Sequence, residues 1–127
     1  MKILVVVSRV LLGLVFFVFG LNGFLQFIPV KVMPTGLALQ FITALMQSHY
    51  ALVVSAAQLL AGILLLVNRY VPLSLALPGP VIVNILCYHI FLWSQGLPIA
   101  AVVAILWLIL FYRYRQYFSP LLVKKAV

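Results

Sequence analysis

The sequence predicts an all-α, integral membrane four-helix bundle with a short amphipathic helix between helices one and two. Three observations predict it. Hydrophobic residues make up 68% of the 127-residue chain and charged residues only 6%, whereas a soluble domain devotes about 25% of its residues to charge. Asp and Glu are absent, so every charge is basic and the formal net charge is +8. The apolar runs are each near the about 20 residues that one bilayer crossing needs, and only short breaks separate them. Four crossings and their connections use the whole length, so residues 1–127 read as a single transmembrane domain. That excludes a large soluble domain, and also a transporter built within one chain from two symmetric halves.

Helix one is expected over residues 3–28, stopped by Pro29, because the residue before a proline is pushed out of the helical region. Its apolar run exceeds the about 7–15 residues of a signal-peptide core, and no small-x-small cleavage site follows. It therefore reads as the first membrane helix and the insertion signal. Residues 29–36 are a connection rich in helix breakers. Residues 37–48 read as a short amphipathic helix, with Gln40, Thr43 and Gln47 forming one polar stripe. Such a helix lies along the membrane surface or across the mouth of the bundle.

Helix two is expected over 50–67, ending at Asn68-Arg69-Tyr70. Helix three is expected over 72–93, with Pro72 in its first turn, where no N–H is needed. Pro78-Gly79-Pro80 should kink it, and in lipid neighbouring helices must satisfy the carbonyls so freed. Ser94-Gln95-Gly96-Leu97-Pro98 is a tight turn, and helix four follows over 98–118. Lys2, Arg69, Arg113, Arg115, Lys124 and Lys125 fall on one side with Arg9 near them; Lys31 falls on the other. The positive-inside rule then places both termini in the cytoplasm. Tyr112, Tyr114 and Tyr117 suit the inner interface, and Tyr50 and Trp93 the outer one.

The composition limits the chemistry. No side chain can serve as a carboxylate base, a carboxylate metal ligand or an acidic proton relay. Cys87 is the single cysteine, so an internal disulfide and a CxxC pair are both excluded; it reads as a small, buried apolar residue. The cations sit at span ends, where they favour anionic headgroups rather than nucleic acid. His49 and His89 without Cys or an acid make a poor metal site, and His89 reads as a hydrogen-bonded or interfacial histidine. No nucleophile–base–orienter set is recognisable.

The polar residues inside the spans are Arg9, Asn22, Gln26, Gln58, Asn84, Tyr88 and His89, each costly in lipid unless partnered. Arg9 shares a face with Gly13, Phe16, Gly20 and Phe27, and glycines there admit a close neighbouring helix. Arg9 reads either as snorkelling to inner-leaflet phosphates or as holding an anionic ligand or a partner's acid. Asn22 and Gln26 share a face of helix one. By depth, these two, with Gln58, Asn84, Tyr88 and His89, form a polar column from mid-membrane outward. The column either fixes packing by interhelical hydrogen bonds or lines a pocket for a quinone or a lipid headgroup. Trp107 reads as packing. Ala57 with Ala61, and Ala100 with Ala104, are small-xxx-small pairs that mark close helix contacts.

The stretch from Arg9 to Phe24, RVLLGLVFFVFGLNGF, resembles the first helix of DoxX-like membrane proteins, and the stretch from Ala57 to Leu66, AQLLAGILLL, is similar to that family's second helix. Length and the four-helix plan agree. The resemblance implies a small multi-pass protein of the bacterial inner (plasma) membrane. The family takes its name from a thiosulfate:quinone oxidoreductase, and some relatives are linked to redox or thiol-stress complexes. Many relatives carry an acid near the place of Gln58. Gln58 hydrogen-bonds but exchanges no proton near neutral pH, which weakens any proton-coupled role. The expected function is a non-catalytic subunit or accessory protein of a quinone-linked membrane redox system, with no activity by the isolated chain. A quinone is the expected cofactor; membrane lipids, a redox subunit and a second copy are the expected partners. The alternative is a small-solute carrier or channel, suggested by the kinked helix three and the buried amides.

Overall fold

The computed structural model describes residues 2–28 and 33–125, so Pro29 and Lys31 lie outside the described residues. Among the described residues six α-helices follow in order: α1 (Lys2–Leu25), α2 (Gly36–Gln47), α3 (Tyr50–Val67), α4 (Val71–Ala76), α5 (Gly79–Phe91) and α6 (Leu97–Arg113). Two 3-10 turns, Arg115–Tyr117 and Ser119–Leu122, follow α6 among the described residues. Among the described residues there is no strand. Among them three segments are long and apolar enough to cross a membrane: α1, α3, and α4 with α5 taken together over Val71–Phe91. Helix α6 is apolar and spans 17 residues.

The helix ends follow local chemistry. Helix α1 stops three residues short of the expected 28. Gln26 adopts a left-handed φ of 52°, and its N–H donates to the Asn22 carbonyl at 2.8 Å. The Asn22 side-chain Oδ1 then accepts the Ile28 N–H at 2.8 Å, so a short amide side chain closes the helix end. Helix α3 keeps the expected bounds. Its end is fixed by Asn68 at φ 57° and by the Arg69 N–H donating to the Leu64 carbonyl at 3.0 Å, the pattern of a left-handed C-terminal cap.

The helix expected over 72–93 is broken into α4 and α5 at Leu77-Pro78, because Pro78 and Pro80 donate no backbone hydrogen bonds. The break is bridged from outside: the Trp107 Nε1–H of α6 donates to the Leu75 carbonyl at 2.9 Å. The helix expected over 98–118 ends at Arg113, and the chain continues as 3-10 turns.

Glycine governs the closest pairing. At Gly20 an added Cβ would stand 2.6 Å from the Leu59 backbone nitrogen, and at Gly62 2.5 Å from that of Phe17. The α1 and α3 backbones thus meet along a seam with no room for a methyl group, the arrangement expected from the glycine face of helix one. Helix α1 also packs on α6, and α6 packs on α5. The short α4 lies between α3 and α6 and buries Val71, Ser74 and Leu75. Around it the core gathers Leu12, Phe16, Ala61, Leu65, Ile82 and Leu110. The lateral surface is apolar, with Val53, Leu60, Ile90 and Ile105 all exposed.

Candidate ligand-binding groove

Arg9 reaches from α1 to the C-terminal end of α3, where its Nη1 donates to the Leu65 carbonyl and, at 3.5 Å, to that of Leu66. Among the described residues the Leu66 carbonyl accepts no backbone N–H and that of Leu65 accepts only the Asn68 N–H, at 3.3 Å, and the negative end of the helix dipole favours a cation there. In a chain with no carboxylate side chain, the backbone supplies the counter-charge. This is a third role for Arg9, beside the two the sequence left open.

The polar residues expected inside the spans do not form one column. Asn22 serves its own helix end. Gln26 is exposed just beyond that end. Gln58 is half-buried on α3 and makes no side-chain hydrogen bond among the described residues. Asn84 is exposed on α5 and donates from Nδ2 to the Pro80 carbonyl one turn back, at 2.8 Å. His89 Nδ1 lies 3.0 Å from the Trp93 carbonyl, and its ring covers Gly96, whose φ of 93° makes the turn into α6. The physical reason for the dispersal is helix order: α3 packs on α1 while α5 packs on α6, so Gln58 and Asn84 belong to different pairs.

A different set does converge. Asn84, Cys87, Tyr88, Phe91 and Leu92 of α5 and its C-cap, with Phe41 of α2, line an open groove of about 300 Å³. The five α5 positions recur at i, i+3, i+4, i+7 and i+8, one continuous helical face. That spacing was the signal in the sequence for a site containing Cys87 and Phe91. Cys87 is exposed rather than buried as expected, because its face of α5 has no helix packed over it apart from the approach of α2. Helix α2 packs on α3 and places the Phe41 ring 5.6 Å from that of Tyr88. It therefore spans from α3 to α5.

Comparison with protein-family models, curated proteins and solved structures finds no match to this chain.

The groove's chemistry is that of an amphiphile site. Phe41, Tyr88 and Phe91 offer flat apolar faces. Among the described residues one Asn84 N–H, the Asn84 Oδ1 and the Tyr88 hydroxyl have no protein partner. The Asn84 N–H and the Tyr88 hydroxyl can donate to a carbonyl group set against aromatic rings, and the Asn84 Oδ1 can accept. His89 is edge-on to Tyr88, with ring centroids 5.1 Å apart and planes at 76°, so it buttresses the groove from behind. Arg9 stands at the other end of the molecule, beside the α3 C-terminus. Among the described residues no three His, Cys, Asp or Glu side chains gather as metal ligands would.

Proposed function

We propose that this is a four-crossing inner-membrane protein of the DoxX-like type, acting as a non-catalytic accessory to a quinone-linked redox system. In this reading α4 and α5 form one broken crossing, both termini are cytoplasmic, and the α2–α5 groove receives the quinone head from the side. The single observation that carries the ligand assignment is the groove lining: three aromatic rings with hydrogen-bond donors from Asn84 and Tyr88. A quinone is flat, apolar and bears carbonyl acceptors, and each of those properties has a counterpart there. The lone thiol Cys87 forms no redox pair, which supports binding without resident redox chemistry. The orientation rests on the cations. Arg9 at the α3 C-terminus, and Leu4 beside Tyr112 in one cleft, put the basic chain ends at one end of the helices, the cytoplasmic end by the positive-inside rule.

The carrier or channel reading has less support, since Val71, Ser74 and Leu75 of α4 fill the centre of the basic end. The deciding experiment is purification in mild detergent from membranes containing quinone, followed by extraction and chromatography. Co-purifying quinone that is lost in Asn84→Leu and Tyr88→Phe chains supports the reading. Quinone-free protein that also fails to bind an added short-chain quinone overturns it.

A further inference from the structure

The end of the chain carries an inference that rests on the membrane orientation proposed above and goes beyond it. After α6, Tyr114 and Phe118 fold back onto the core, and the Phe118 ring lies 5.0 Å from Phe111. That contact fixes where the following residues emerge. Leu121 and Leu122 are 78% and 83% exposed, Val123 is exposed beside them, and Lys124 and Lys125 follow directly, both exposed.

The same end holds the exposed Arg113 and Arg115. The Arg115 guanidinium stacks 4.2 Å from the centroid of the Tyr112 ring and donates to the Tyr112 carbonyl at 2.6 Å. Arg113 lies 5.4 Å from the centroid of the Tyr114 ring. Aromatic faces and one carbonyl hold these cations in place without neutralising them. The sequence has no Asp or Glu, so no side chain of this protein can supply their counter-ions.

We propose that residues 113–125 form an anchor for anionic phospholipid. Leu121, Leu122 and Val123 enter the acyl region beside the bundle, while Arg113, Arg115, Lys124 and Lys125 pair with headgroup phosphates. Two observations select this occupant over an acidic protein. The apolar triplet and the basic pair are adjacent in the chain, the arrangement in which insertion and headgroup attraction act together. The Tyr112 and Tyr114 rings that hold the arginines are also the side chains that favour the headgroup layer, where each basic residue adds attraction to an anionic leaflet.

The test uses the full chain with Cys87→Ser and a single Leu122→Cys carrying an environment-sensitive fluorophore. The chain is reconstituted into vesicles of phosphatidylcholine alone or of phosphatidylcholine with phosphatidylglycerol. The expected result is a blue-shifted emission, quenched by acyl-chain nitroxide lipids, in the phosphatidylglycerol vesicles. The shift is expected to be lost in pure phosphatidylcholine and on adding Lys124→Gln with Lys125→Gln. Water-like emission in both vesicles overturns the proposal and leaves this end to an acidic protein partner. Equal insertion in both vesicles also overturns it, because headgroup charge would then play no part. A second fluorophore at Ile105→Cys, on the exposed face of α6, separates this failure from failure of the membrane reading. Acyl-chain quenching at Ile105→Cys without quenching at Leu122→Cys sinks the anchor alone, and no quenching at either site sinks both.

Discussion

The Trp107 indole N–H of α6 donates to the Leu75 carbonyl at 2.9 Å, at the place where Pro78 and Pro80 interrupt the preceding helix. A carbonyl without a partner in an apolar interior costs about 1–3 kcal/mol, and this bond removes that cost at Leu75, beside the break. Trp107→Phe keeps most of the ring area and removes the donor. Its expected effect is a stability loss of about 1–3 kcal/mol, read as a lower melting temperature in detergent. An unchanged melting temperature would show that the carbonyl is satisfied by other means.

The α1–α3 seam makes a sharper demand. Gly20→Ala and Gly62→Ala each place a methyl group against backbone rather than a flexible side chain. Overpacking of this kind costs about 1–3 kcal/mol. Gly79→Ala, where the added carbon would meet only the Trp107 ring edge at 3.4 Å, is the control and should lose much less. Parallel thermal melts of the three chains check the ranking, and a Gly79→Ala loss as large as the others would refute it.

Arg9 should behave as a helix-capping cation. Arg9→Leu removes charged hydrogen bonds to the α3 C-terminus, worth about 1.5–3 kcal/mol, and should lower the melting temperature. Arg9→Lys, which keeps the charge but not the planar fork of donors, should recover part of that loss. Hydrogen exchange at the Asn68 and Arg69 amides, which bond to the Leu65 and Leu64 carbonyls, should speed up in Arg9→Leu. Unchanged exchange there would mean that the α3 end does not depend on Arg9.

For the groove, Asn84→Leu and Tyr88→Phe should each weaken binding of a short-chain quinone about five- to tenfold, the equivalent of one hydrogen bond near 1 kcal/mol. Cys87 gives an independent reading, because the sole thiol lines the groove. A bound quinone with a fully substituted ring should slow its alkylation by a maleimide. Equal alkylation rates with and without saturating quinone would place the ligand elsewhere.

Much of the helical plan was legible because its determinants are local. The α3 bounds follow from turn-forming residues at both ends, and the proline cluster announced a disturbance near residue 78. The glycine face of helix one pointed to a close partner without naming it. The polar residues were harder to read, because depth along a helix says nothing about which helix stands opposite. Asn22 and Asn84 illustrate the limit. Each amide is short enough to bond its own backbone, so neither has to reach another helix. Cys87 looked buried by residue type, yet its helical face was left open by an order of packing that no single segment encodes. The groove stripe from Asn84 to Leu92 was present in the spacing all along, but apolar spacing in an apolar chain stands out poorly from its surroundings.

Stiffness is distributed unevenly as a result of the glycine seam. Where two backbones lie too close for a methyl group, sliding or splaying would lose many contacts at once, so α1 and α3 should move as one strut. The arm formed by α5 is joined to α4 through a dipeptide break steadied by one indole. Any breathing that widens or narrows the space beneath α2 should therefore pivot at residues 77–78, and a bulky guest would be accommodated by swinging that arm while the strut stays still.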